Sequence, residues 1–196
     1  MGIVSPSGKA LYLNVPIIEG TTSHQYVQNT VSGAWCRYTG LNAASWASLG
    51  NDMYFGGVGK VYKHAGLSDV GADIQAKART AFTYLGSRAT KKRLTALRPI
   101  IYTDGAFSAS VGINVDFGNA GFPSNNINLQ SNSVGSSWDA EDWDSATWSD
   151  SAVPTTTWVS VGGVGRSVSV ELSLATSTQT LAWYSTDFLG TIGGVA

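Results

Sequence analysis

Apolar and polar positions alternate with a period of two over much of this chain, the mark of strands that bury one face. In residues 74–84, Ile74, Ala76, Ala78, Thr80, Phe82 and Tyr84 take one parity, and Gln75, Lys77 and Arg79 the other. The pattern returns in Ala109, Val111, Ile113, Val115 and Phe117 against Ser108, Ser110, Asn114 and Asp116. It returns again in Val168, Val170, Leu172 and Leu174 against Ser167, Ser169, Glu171 and Ser173. Residues 94–102 and 181–184 add two further apolar strands. Strands with a single apolar face need a second layer to cover them, and an antiparallel β-sandwich over residues 71–196 is the simplest solution.

The first third of the chain is cut into shorter pieces. Residues 9–15, 24–29, 34–39, 45–49, 53–56 and 60–64 are rich in Tyr, Val, Trp and Leu and are bounded by Gly, Asn, Pro or Ser, which predicts strands joined as antiparallel hairpins. The clearest turn is Gly56-Gly57-Val58-Gly59, between Tyr54-Phe55 and Lys60-Val61-Tyr62, because glycine takes positive φ without steric cost. Residues 118–137 are Gly/Asn/Ser-rich, with Phe122, Pro123, Ile127 and Leu129 as their few apolar side chains, and predict a long surface loop. No amphipathic helix stands out, although residues 41–47 and 72–79 could each make a turn or two.

Composition narrows the class. The 43% hydrophobic and 13% charged residues leave a surface covered largely by Ser, Thr, Asn and Gly, as in all-β proteins with polar outward faces. Cys36, the one cysteine, lies between Trp35 and Arg37 and reads as an inert, buried thiol. No basic-then-apolar leader opens the sequence and no apolar run approaches the ~20 residues that span a bilayer, so no membrane anchor is expected. Net charge is -1, but residues 60–98 hold nine basic residues against Asp69 and Asp73, a balance of +7, and residues 99–196 hold Arg166 against nine acids, a balance of -8. The molecule is bipolar if these segments occupy different surfaces.

Two stretches carry more specific information. The first is Tyr26-Val27-Gln28-Asn29-Thr30 with Gly33-Ala34-Trp35-Cys36-Arg37-Tyr38-Thr39-Gly40, then Met53-Tyr54-Phe55-Gly56-Gly57 and Gly59-Lys60-Val61-Tyr62-Lys63. The second runs from Arg98-Pro99 through Val111-Gly112-Ile113-Asn114-Val115-Asp116-Phe117-Gly118 and Trp138, Trp143 and Trp148 to Leu181-Ala182-Trp183-Tyr184-Ser185-Thr186-Asp187. In this order they resemble the C-terminal region of the tail nozzle proteins, also called DNA-stabilisation or tail tubular proteins, of short-tailed double-stranded-DNA bacteriophages. The resemblance covers roughly residues 10–195. It implies a propeller-blade-like antiparallel sheet in residues 1–70 ahead of the sandwich, and a homo-oligomeric, hexameric ring below portal and adaptor that retains and conducts the genome. It also implies a place in the virion tail after synthesis in the host cytoplasm, with the adaptor and a fibre, spike or needle as neighbours. Family members are several times longer, and one blade of about 45 residues cannot close a propeller. The chain is then a fragment or a shortened relative whose blade packs on another subunit.

Candidate chemistry is sparse. His24 and His64 lie in no HExxH, CxxC or GxSxG context and read as polar positions on strands. No cofactor or metal follows from the sequence. Asp139, Glu141, Asp142 and Asp144 sit among Trp138, Trp143 and Trp148, where paired carboxylates or a sugar-stacking shelf could be built. The five-residue tryptophan spacing matches neither a strand face nor a helical stripe, so the segment reads as an irregular loop whose indoles plug a groove between subunits. Lys91, Lys92 and Arg93, with Arg88 and Arg98 nearby, fall in a connection between strands. They are candidates for non-specific contact with double-stranded DNA in a lumen or for an inter-subunit contact. Two rivals to the tail reading stay open: a carbohydrate- or receptor-binding β-sandwich of a tail fibre or adaptor, and a glycan-degrading enzyme.

Overall fold

A computed structural model describes residues 1–18, 22–105, 107–121, 126–129, 153–154 and 157–193. Among these the regular structure is all β and every strand pairing is antiparallel. The chain divides into two compact units, Met1–Gly66 and Leu67–Ala196.

In the first unit, β1 (Gly2–Val4), β2 (Ala10–Ile18), β3 (Thr22–Asn29) and β4 (Trp35–Tyr38) form a four-stranded sheet in chain order. β5 (Ser45–Leu49), β6 (Asp52–Gly57) and β7 (Lys60–Lys63) form a three-stranded one, also in chain order. The β6–β7 turn closes on Gly59 at φ 68°, a left-handed position that other residues adopt only with strain. Tyr12 and Val27 from the larger sheet and Trp46, Met53 and Phe55 from the smaller one share a single buried cluster. Asn14 ties the two sheets together. Its Oδ1 accepts a hydrogen bond from the Trp46 indole at 2.7 Å, and its Nδ2 donates to the Ala43 carbonyl at 2.7 Å.

The second unit contains β8 (Ile74–Arg79), β9 (Lys92–Thr103), β10 (Phe107–Val115), β11 (Asn126–Leu129), β12 (Val153–Pro154), β13 (Val159–Gly165), β14 (Val168–Thr176) and β15 (Leu181–Ile192). One sheet has the order β11-β10-β14-β8; in the other, β9 pairs with β12, β13 and β15. Leu97, Ile101 and Val159 of the second sheet pack with Phe107, Ala109, Val111, Val170 and Leu172 of the first in one core. Burying each such large side chain contributes about 1.5–3 kcal/mol. The chain crosses between the sheets from β9 to β10, from β13 to β14 and from β14 to β15, and two aspartates clamp these crossings. Asp104 accepts from the Thr180 hydroxyl at 2.6 Å and its backbone N–H at 2.9 Å. Asp116 accepts from the N–H groups of Arg166 and Ser167 at 2.7 and 3.0 Å. These bonds, that of the Thr180 hydroxyl first for Asp104 and that of the Ser167 N–H first for Asp116, hold both carboxyls below the usual carboxylate range.

Several expectations are corrected. The predicted loop at 118–137 contains β11, which pairs with β10 through Phe107↔Leu129 and Ala109↔Ile127; the alternating Asn-Ile-Asn-Leu of this segment suits a strand once a sheet edge is available. The strand predicted through Tyr84 ends at Arg79. Glu171 faces Arg79, but Val168 faces Thr83 rather than Phe82, so one extra residue bulges out. Both faces of β8 are exposed, because it is an outer strand among those described and Ala76 and Ala78 add little bulk. The strand predicted through Phe117 ends at Val115. Asp116 and Phe117 are left-handed, at φ 48° and 61°, and the Gly118 N–H donates to the Val115 carbonyl at 2.9 Å. The turn sets Phe117 against Phe82, with ring centroids 4.7 Å apart. Residues 41–47 and 72–79 hold strand, not helix. Cys36 is exposed on the outer strand β4 instead of buried; its thiol nevertheless points back to the Val27 carbonyl, 3.5 Å away, and this partial shielding raises its pKa and disfavours the reactive thiolate.

Candidate functional site

β9 organises the surface with the most chemistry. Its pairing with β15 steps from Ala96↔Leu189 directly to Leu94↔Gly190, so Thr95 is an extra residue against β15, while on the β13 side Val161 and Gly162 both oppose it, between Ser160↔Ala96 and Gly163↔Leu94. The Thr95 hydroxyl donates to the Leu189 carbonyl at 3.2 Å. The bulge switches parity: Lys92 and Leu94 are buried before it, and Leu97, Pro99, Ile101 and Thr103 after it. Arg93, Arg98 and Tyr102 therefore lie on the outward face. Directly opposite residues on paired strands point to the same side, which places Val164 of β13 beside Arg93, and Asp187 of β15 beside Arg98.

On this face Arg98 stands between two partners. Its guanidinium carbon lies 5.0 Å from the centroid of the Trp158 ring, and its Nε and Nη2 donate to one oxygen of Asp187 at 3.0 and 2.6 Å. Further along, Tyr102 and Tyr184 meet edge to face at 4.9 Å. Trp158, Tyr184, Leu189 and Val164 keep 45%, 72%, 57% and 53% of their surface in solvent. Exposed Trp, Tyr and Arg in one place are what binding hot spots are made of. The order of residues 181–187 is legible as a motif without a role, and nothing local in the sequence joins it to Trp158; the signal that joins them is the strand register, which is long-range.

The five basic candidates do not form one patch. Arg88 is exposed and lies over the Tyr84 ring at 4.9 Å. Lys91 and Arg93 are exposed. Lys92, expected in an open connection, is the first residue of β9 and is only 5% exposed. Its ammonium donates to the carbonyls of Thr90 and Arg166, each at 3.0 Å, and to that of Ser87, so it holds chain segments together and does not face a lumen. Arg98, committed to Asp187 and Trp158, lies about 20 Å from Lys92 at ~3.3 Å per strand residue. Trp138, Asp139, Glu141, Asp142, Trp143, Asp144 and Trp148 lie outside the described residues.

The remaining titratable groups serve packing. His64 does not sit on a polar strand face: it is half-buried against Tyr12 and Trp46, with centroids 5.2 and 5.9 Å away, and stacks on Tyr38 at 6.4 Å. Burial pulls its pKa below the ordinary value. Burial first, then the neighbouring Tyr38 and Cys36, pushes Tyr12 up to about 12. His24 lies on β3, with its Nδ1 buried and unpartnered among the described residues. On β14, Glu171 is 1% exposed and forms an ion pair with Arg79 across the strand pair. Beside it Ser169, fully buried, donates to the Thr80 carbonyl at 2.7 Å. Among the described residues no three His, Cys, Asp or Glu side chains converge as a metal site. No protein-family model matches the chain, and neither a curated protein nor a solved structure does.

Proposed function

We propose that this chain is a structural, non-enzymatic component of a phage tail, acting by assembly into a closed homo-oligomer like the nozzle ring that its motif order resembles. In this reading the two sheets of residues 67–196 that share one core are a β-sandwich, and the four-stranded meander β1–β4 is propeller-blade-like. The observation that carries the proposal is the outward face of the β9 sheet, where Trp158, Tyr184, Val164 and Leu189 are exposed beside an Arg98–Asp187 pair that is already neutralised. Apolar surface gathered on one face favours contact with another protein surface.

DNA contact enters as a weaker, sequence-independent term. Arg88, Lys91 and Arg93 are the exposed members of the basic set and would supply it. The test is particle mass against protein concentration, by native mass spectrometry and light scattering. A discrete closed oligomer is expected, and a monomer persisting to high concentration would sink the proposal. The exposed Trp158, Tyr102 and Tyr184 also favour the glycan-binding alternative, which predicts instead a monomer that captures oligosaccharides and loses them on Trp158→Ala.

A further inference from the structure

The strand edges of this protein differ in how well they are guarded. A strand at the margin of a sheet presents a row of unpaired N–H and C=O groups, and folded proteins blunt such edges with shortness, charge, proline or bulges. β1, β4, β7 and β11 are three or four residues long. β5 has five residues, and β8 six with Lys77 and Arg79 among them. β12 is two residues including Pro154, and β13 is interrupted by a register shift between Ser160 and Gly163. β15 is different. It runs for twelve residues and contains neither proline nor lysine; its one bulged residue, Tyr184, leaves residues 185–192 as an uninterrupted run that pairs with β9 on one side and has no partner on its other side among the described residues. Its single ionised side chain, Asp187, is already matched by Arg98.

We infer that the open edge of β15 is the self-assembly surface of this protein and that its occupant is β15 of a second copy, paired antiparallel so that two β9 sheets become one. Three observations on this strand select that occupant. Length is the first: among the described margins, no other strand reaches twelve residues, so another β15 is the edge that can satisfy the whole row. Charge is the second: two copies meet here without unpaired like charges, whereas β8 and β7 would bring lysines together. The third is the bond count. The eight uninterrupted residues 185–192 offer about eight inter-strand hydrogen bonds, within the range of about 5–15 that a whole standard-size protein interface carries. The local two-fold axis stands perpendicular to the joined sheet, so the exposed Tyr184 and Leu189 of both copies come to lie on the same side and extend one apolar face. Such a contact closes on two copies, and a larger ring is then built from these pairs through a second surface. The inference rests on the assembly part of the proposed function.

The experiment uses the full chain and a variant with Tyr184→Lys, Leu189→Lys and Ile192→Lys, at positions 72%, 57% and 73% exposed, where charge should leave the protomer folded. Mass measurement is combined with amide hydrogen exchange over residues 181–192. The expected result is that wild type forms even-numbered particles whose residue 181–192 amides exchange at least about tenfold more slowly than in the variant, with the variant halving the particle or falling to monomer. Circular dichroism of the variant checks its fold, and the single substitution Leu189→Lys, expected to weaken assembly at least about tenfold, replaces it if the triple variant unfolds. Unchanged assembly of the variants, or fast exchange along β15 within the wild-type particle, overturns the inference while leaving the assembly reading standing. A monomeric wild type overturns both.

Discussion

His64 shows how one residue sets a pH response. Burial among Tyr12, Trp46 and Tyr38 favours its neutral form, so its folded pKa lies below the 6.5 it has when exposed. Between those two values the unfolded chain binds more protons than the folded one, and stability rises with pH. The expected outcome is full stability above pH 6.5 and progressive loss as pH falls below it, with His64→Phe flattening this part of the profile in denaturant titrations. The Arg79–Glu171 pair makes a different prediction. Glu171 is 1% exposed, so Arg79→Met leaves a buried carboxylate without its ion pair and should cost about 3 kcal/mol, the low end for buried pairs because Arg79 is partly in water. Adding Glu171→Gln to that variant should recover part of the loss, which a double-mutant cycle measures.

At the scale of elements, β9 and β15 meet with the least slack at Gly190. A Cβ built there would collide with the Arg93 carbonyl and lie 3.1 Å from Leu94 Cα, and backbone cannot swing aside as a side chain can. Gly190→Ala should therefore destabilise by about 2 kcal/mol or more, seen as a lower urea midpoint, whereas Gly162→Ala, with open space around it, should change little. The strands of residues 10–63 and the alternation of β10 and β14 were legible because their pattern is local. The second half of β15 was not, since Ser185, Thr186 and Asp187 interrupt its apolar run and its parity is set by bulges against β9. β13 is not legible in the sequence because Gly162-Gly163 hides its alternation. Lys92 sits in a basic triplet that looks like surface, and its burial depends on the carbonyl of Arg166, 74 residues away. The outward Arg98–Trp158–Asp187 row likewise joins β9 and β15 to the residue before β13, all distant in sequence.

For the whole molecule, the separate cores are the governing fact. Tyr12, Val27, Trp46, Met53 and Phe55 form one and Leu97, Ile101, Phe107, Val170 and Leu172 another, so each unit can melt on its own account. Calorimetry is expected to resolve two transitions. His64→Phe should alter the pH dependence of one, Arg79→Met should lower the midpoint of the other, and a single transition moved by both substitutions would show that the units unfold together.

Lys92 makes the opening of the second unit chemically visible. An ammonium whose three protons are all donated to carbonyls is a poor nucleophile and is shielded from reagent, while its neighbour Lys91 stands in solvent. Brief treatment of the native protein with an acylating reagent should modify Lys91 at once and Lys92 at the rate at which the start of β9 comes apart. Peptide mass spectrometry of residues 91 and 92 then carries its own clock and its own control: adjacent lysines, one recording exposure and the other recording unfolding. If both lysines are acylated at the same rate under native conditions, the ammonium is not held as described.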